Sequence, residues 1–125
     1  MPTWRKLHTK VALSLDVDAM PDDFTRLLWL LLPIGLDREG RGLDHPAWVK
    51  AVTMPLRHDV PPEQIAAALD WFAEHGLIER YEAAGHRCFW VPSFKKYQGS
   101  TIRAPESELP PPPASGPAPG QESAA

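Results

Sequence analysis

The residues of this 125-residue chain that could do chemistry form three groups. The first is a set of cations among aromatics: Arg80, His86, Arg87, Lys95 and Lys96 interleave with Trp90, Phe94 and Tyr97, with Arg103 just beyond and Arg57 and His58 upstream. Such cations can hold phosphate oxygens, and rings between them can stack single-stranded bases, although aromatics at that spacing more often fill a core. Arg5, Lys6 and Lys10 add positive charge near the start. The second group is a row of carboxylates, Glu63, Asp70 and Glu74, that falls with Ala67 on one face of a helix. Carboxylates there meet phosphate with like charge and make none of the Arg, Lys, Asn or Gln pairings that read base edges. The ordinary role of such a face is to be solvated; its functional role would be to meet a protein.

The third group argues against catalysis. His8, His45, His58, His75 and His86 show no His-x-x-x-His spacing, and a single cysteine, Cys88, can build neither a thiolate zinc site nor an internal disulfide. Asp37, Glu39 and Asp44 surround Gly40 at spacings that miss the calcium-loop template. No glycine-rich phosphate loop or nucleophile motif occurs. The sequence therefore predicts a binding protein, not an enzyme, with no cofactor and no metal.

Charge and composition divide the chain. All 13 Lys and Arg precede residue 104, along with all but Glu106, Glu108 and Glu122 of the 16 acids, so residues 1–103 are net neutral. A nucleic-acid contact would have to come from a local patch, not from overall basicity. Residues 104–125 read APESELPPPPASGPAPGQESAA, with Leu109 the one large apolar side chain, and are expected to stay disordered because nothing there offsets the entropy of ordering. The four prolines 110–113 favour polyproline II, a stiff spacer or a ligand for an aromatic groove. The longest apolar run, LLWLLL at 27–32, is too short to span a membrane, and the first residues lack a signal-peptide core. The expectation is a cytoplasmic protein without membrane contact, and Cys88 fits a reducing compartment and buried packing.

The elements that must position these groups can be read in order. Residues 4–15 have no settled period and suit a short helix or an arm across the core. A first helix opens at Pro21 with Asp22 and Asp23 in its first turn, buries Phe24, Leu27, Leu28, Leu31 and Leu32 with Trp29 and Leu30 widening the face, and stops at Pro33 and Gly35. After the turn-rich DREGRG (37–42), Arg41, Gly42 and Leu43 suit a short strand. Asp44 is then placed to cap a second helix that buries Trp48, Val49, Val52 and Met54 before Pro55. A third helix begins at Pro61 and Pro62, buries Ile65, Ala68, Leu69 and Phe72, and ends at Gly76. Residues 77–82 and 87–91 form a hairpin around a turn of three to four residues, and the run Cys88, Phe89, Trp90, Val91 demands cover on both faces.

Helix, strand, helix, helix, hairpin is the layout of a winged helix, in which the second and third helices make a helix-turn-helix and the hairpin makes the wing. The expected fold is thus α+β, mainly α: a winged-helix domain with an N-terminal arm over 1–103 and a disordered proline-rich tail over 104–125. The residues also resemble a family. Leu27 to Trp29 followed by DREG, Ala66 to Leu69 followed by GLIERYE (76–82), the Gly85 turn and WVPSFKKYQ (90–98) look like the N-terminal winged-helix domain of phage replisome organisers and related DnaD-like phage replication proteins, over 4–103. Met20 stands where such proteins often have Ser. The resemblance does not extend to their larger C-terminal domain, which contacts the replicative helicase.

The resemblance implies a phage or prophage DNA-binding protein acting in replication initiation or transcriptional control, with duplex or single-stranded DNA as partner. On that reading Arg80, His86, Arg87, Lys95, Lys96, Arg103 and Arg57 hold phosphates. The alternative is an adaptor or inhibitor that engages a phage or host replication or regulatory complex through Glu63, Asp70 and Glu74 and exposed tryptophans.

Overall fold

A computed structural model describes residues 4–99 and 109–113. Among them are five α-helices and a three-stranded antiparallel sheet, an α+β arrangement. A 3-10 turn, η1 (Thr9–Leu13), leads into α1 (Leu15–Ala19) and α2 (Asp23–Gly35); β1 (Arg41–Leu43), α3 (Pro46–Thr53) and α4 (Pro62–Glu74) follow. The hairpin β2 (Glu79–Ala83) and β3 (His86–Trp90) precedes α5 (Phe94–Gln98). No helix among the described residues is long and apolar enough to cross a membrane.

The third helix of the sequence reading is α4, and its phase is as expected. Ile65, Ala68, Leu69 and Phe72 are buried on one side. Gly76 takes a left-handed φ of 75°, and the Leu77 N–H donates back to the Phe72 carbonyl at 2.8 Å, which turns the chain out of the helix into β2.

In α2 the expected face is rotated. Thr25, Leu28 and Leu32 are buried, Phe24, Trp29 and Leu31 pack partly against the core, and Leu27, Leu30 and Ile34 remain exposed. A pattern of apolar residues passes over Thr25. Here the Asp22 carboxylate caps the helix and accepts from both the Thr25 N–H (2.8 Å) and its hydroxyl (2.6 Å), so the threonine can be buried with its polar atoms satisfied. Those bonds from Thr25 also hold the Asp22 carboxyl below its usual range. Pro21 lies before the cap, outside the helix.

Nor does α2 stop at Pro33, which lies inside its last turn. Proline removes one backbone bond there, and the carbonyls left open at the helix end are taken up from outside the helix. Arg5 donates through Nε to the Pro33 carbonyl and through Nη2 to the Leu36 carbonyl, both at 2.9 Å, while its guanidinium lies over the Phe94 ring. Arg26 performs the corresponding task for α1, donating to the carbonyls of Val17, Asp18 and Met20. The N-terminal arm is further tied to α5 by a reciprocal pair: Gln98 accepts from the Lys6 N–H and donates to the Lys6 carbonyl, each at 2.8 Å.

The sheet order is β1-β3-β2. Ala83 pairs with His86, so the hairpin loop is the two residues Ala84 and Gly85, both with positive φ (54° and 79°), shorter than the three to four expected. A two-residue loop of this hand matches the twist of the strands. Register sorts the side chains by face. Phe89, Arg80 and Gly42 are paired neighbours on the core side; Trp90 with Arg41 and Glu79, and Cys88 with Leu43 and Tyr81, lie on the other. Phe89 joins the core formed by Leu28, Leu32, Val49, Ile65, Leu69, Phe72 and Ile78. Gly42 is required by this packing, because a Cβ there would lie 2.8 Å from Trp48 and 2.9 Å from both Leu36 and Phe89.

The expectation that the whole of 104–125 touches nothing is corrected at 109–113. The Leu109 carbonyl accepts from Arg41 Nη1 at 3.2 Å and the Pro110 carbonyl from the Tyr81 hydroxyl at 2.6 Å. Composition misled here, because prolines enter the fold with φ already fixed and lose less entropy on docking than ordinary residues. Residues 104–108 and 114–125, and Arg103, lie outside the described residues.

The packing yields a stability prediction. Phe72→Ala should destabilise by about 3–5 kcal/mol and Gly42→Ala, which forces three core side chains apart, by about 1–3 kcal/mol, in urea unfolding followed by far-UV circular dichroism. A neutral Gly42→Ala would show that β1 is free to move off the core.

Candidate binding surfaces

The cations expected to face phosphate are largely engaged by carboxylates. Arg80 leaves β2 on the core side and reaches two acids: its Nε lies 3.0 Å from Asp44 Oδ2 and its Nη1 2.7 Å from Asp70 Oδ1 on α4. Asp44 does not cap α3. The cap residue is His45, without a side-chain bond, and the Asp44 side chain is only 6% exposed, so its charge needs a partner in place. Arg80 is that partner. Arg87 stands 3.9 Å from the same Asp44 oxygen but is 72% exposed, so its contact is weak.

The other predicted cations are divided in the same way. Lys95 on α5 binds Glu39 at 2.6 Å, and this hydrogen bond holds the Glu39 carboxyl below its usual range. Arg57, in the connection between α3 and α4, makes two bonds of 3.0 Å to Asp59, whose carboxyl is drawn down to about 2 by the hydrogen bond from Arg57. His86, at the hairpin, and Lys96, on α5 over the Tyr97 ring, are exposed. Of the interleaved aromatics, Phe94 is core, Tyr97 is half-buried with His8 against its edge, and Trp90 is half-buried on the outer sheet face. The base-stacking row expected from spacing is thus broken up by packing.

The carboxylates of the alternative reading do share one surface. Glu63, Ala67, Asp70 and Glu74 are all exposed along α4, opposite its buried face, though Asp70 is joined to Arg80. The structure therefore links two residues that the sequence assigned to rival sites. Exposed tryptophans were expected beside this face, but only Trp4 is exposed, at 69%; Trp29, Trp48, Trp71 and Trp90 are all half-buried. Exposed apolar side chains come instead from the arm and the connection before α4: Leu7, Leu13, Leu15 and Leu56.

Spacing gave no sign of several residues that matter. Asp44 was legible as an acid before a proline-opened helix, which fits a cap as well as it fits an ion pair. Tyr81, within GLIERYE, and Arg41, in the expected short strand, carried no sign of a shared site. Burial pushes the Tyr81 hydroxyl up to about 12, with the adjacent Cys88 adding to the shift, and burial also raises the Cys88 thiol. A tyrosine and an arginine on one sheet face become a site only once the register places their strands on either side of β3.

No family model, curated protein or solved structure matches this chain. The functional reading rests on the residues themselves.

Two predictions test the ion pairs. Arg80→Ala should destabilise by about 1–3 kcal/mol because it strands the Asp44 charge, whereas Arg87→Ala should stay within about 0.5 kcal/mol, as thermal melts would show. For Glu39 the folded carboxyl is depressed, so its stabilisation is present above the ordinary range and is lost as pH falls through the folded value. Glu39→Gln should cost about 0.2–1 kcal/mol at pH 7 and progressively less as pH falls below the ordinary carboxylate range, read as converging urea midpoints of the two proteins.

Proposed function

We propose that this protein is a non-enzymatic winged-helix module of phage or prophage origin that binds another protein through the exposed acidic face of α4. The order α2, β1, α3, α4, β2, β3, with β1 beside β3, supports the winged-helix assignment, and α3 and α4 take the places of the helix-turn-helix. The origin follows from the resemblance to phage replisome organiser domains. One observation carries the choice of partner. The helix that such a module would lay in a major groove presents Glu63, Asp70 and Glu74, and the arginine beside it is turned onto Asp44 and Asp70. Neutralising phosphate with Arg80 would leave the buried Asp44 unpaired. The exposed leucines of the arm add apolar area for a protein contact.

A second reading, DNA binding through the wing, is favoured by the exposure of His86, Arg87 and Lys96. It predicts binding of duplex or single-stranded DNA with a log-log salt slope of about −2, as two phosphate contacts require, abolished by the paired change Arg87→Glu and Lys96→Glu. Protein binding predicts no salt-dependent DNA complex. Fluorescence titration of the full chain with duplex and single-stranded DNA at two salt concentrations distinguishes them. Under the protein-binding reading, Glu63→Gln with Glu74→Gln should remain folded and lose a cross-linked protein partner that the wing variant retains. Asp70 is left intact in that test because its loss would also release Arg80. A DNA complex with the expected slope would overturn the protein-binding reading.

A further inference from the structure

The sheet face turned away from the core carries Arg41 and Leu43 on β1, Cys88 and Trp90 on β3, and Glu79, Tyr81 and Ala83 on β2, by the register of the strands. Leu109 and Pro110 are bonded to its side chains. Arg41 pairs with Trp90 on one side of the central strand and Tyr81 with Cys88 on the other. Their side chains donate to the adjacent carbonyls of Leu109 and Pro110, so the segment passes over β3. Leu109, Pro110 and Pro112 are half-buried, and Cys88 is fully buried although it stands outside the core cluster.

We propose that this face is a recognition groove for proline-rich peptides in the polyproline II conformation, filled in this chain by its own residues 109–113 and opened when a proline-rich segment of another protein displaces them. The inference concerns a surface separate from the acidic face of α4 and stands or falls independently of it. A polyproline II strand makes no internal hydrogen bonds, and its prolines have no N–H, so its carbonyls are the polar groups a receptor can address. A receptor for it must offer side-chain donors and flat aromatic surface. This face offers both: the Tyr81 hydroxyl, the Arg41 guanidinium and the Trp90 ring. The Trp90 Nε1 is buried with no acceptor among the described residues, so the face holds one more donor than its present occupant uses. Strand addition at a sheet edge is a different mode, because the contacts here come from side chains above the face. Only nine residues, 100–108, separate Gly99 from Leu109 in the sequence, so the attached tail competes with any outside ligand.

Cys88, the chain's one cysteine, is buried on this face opposite Tyr81, so on this proposal its thiol reacts faster when the segment leaves. The test measures its alkylation by iodoacetamide in three full-length proteins: the native chain, Tyr81→Phe, and a chain with Gly and Ser in place of residues 109–113. The probe is the synthetic peptide ELPPPPAS. The native chain should react slowly, the replaced chain at least about tenfold faster, and added peptide should restore the slow rate in a saturable way. The same peptide with alanine in place of every proline should not protect. Tyr81→Phe should speed the reaction several-fold at unchanged urea midpoint, which keeps the test decisive even where the replaced chain fails to fold. Equal rates in the native and Tyr81→Phe chains, no protection of the folded replaced chain at millimolar peptide, or equal protection by the alanine peptide would each overturn the proposal.

Discussion

A central strand that is apolar on both faces must be covered twice, and the arrangement of this molecule follows from how β3 meets that requirement. Phe89 is covered by the helices, and its ring sets the distance at which β1 can approach, so Gly42 has no room for a side chain. Cys88 and Trp90 lie on the other face by register, where Arg41 and Tyr81 on the flanking strands bind the carbonyls of Leu109 and Pro110. Full burial of Phe89 contributes about 1.5–3 kcal/mol relative to exposure, a large share of the net stability of so small a domain.

What could be read from the sequence follows from which forces are local. The buried face and C-terminal glycine of α4 were legible because they depend on helical spacing and on one residue free to adopt positive φ. The strand at Arg41–Leu43 and the hairpin were legible for similar reasons. The phase of α2 was not, since Thr25 is buried only because Asp22 satisfies its hydroxyl, and hydropathy counts threonine as polar. The continuation of α2 through Pro33 depends on Arg5, 28 residues earlier in the chain, donating to its carbonyl. No local rule contains that partner.

The candidate sites failed and succeeded on the same grounds. Charge spacing found Arg80, Arg87, Lys95 and Arg57, but not the acids that closely engage Arg80 and Lys95, because Asp44, Asp70 and Glu39 come from elements other than those carrying Arg80 and Lys95. Asp59 was local to Arg57 and could have been noticed as an i, i+2 pair in a connection. The expected disorder of the tail rested on its lack of apolar side chains, although its prolines already suggested a groove ligand. Its prolines dock through carbonyl acceptance and fixed φ, two properties that hydropathy does not measure.

Strand parity separates the two surfaces and explains why they can act independently. Residues 80, 82 and 87 alternate with 79, 81 and 88, so the ion pairs of Arg80 and Arg87 with Asp44 lie on the core side of the sheet and the Tyr81 and Arg41 contacts lie on the other. A one-residue slip of β2 against β3 would exchange these sets, carrying Arg80 off Asp44 and Tyr81 into the core. The two-residue loop at Ala84 and Gly85 opposes that slip by fixing the register from Ala83 and His86 outward. Both surfaces thus depend on the one turn, although neither touches it. The buried Asp44 reinforces the register from the far end of the hairpin, because only in this pairing does its charge find Arg80 at hydrogen-bonding distance. An ion pair of that kind adds little to net stability once the cost of removing both groups from water is counted, but it strongly disfavours the alternative pairing, in which a buried carboxylate would stand alone. In this hairpin Arg80 thus serves to select a register, and that use leaves it a poor phosphate ligand.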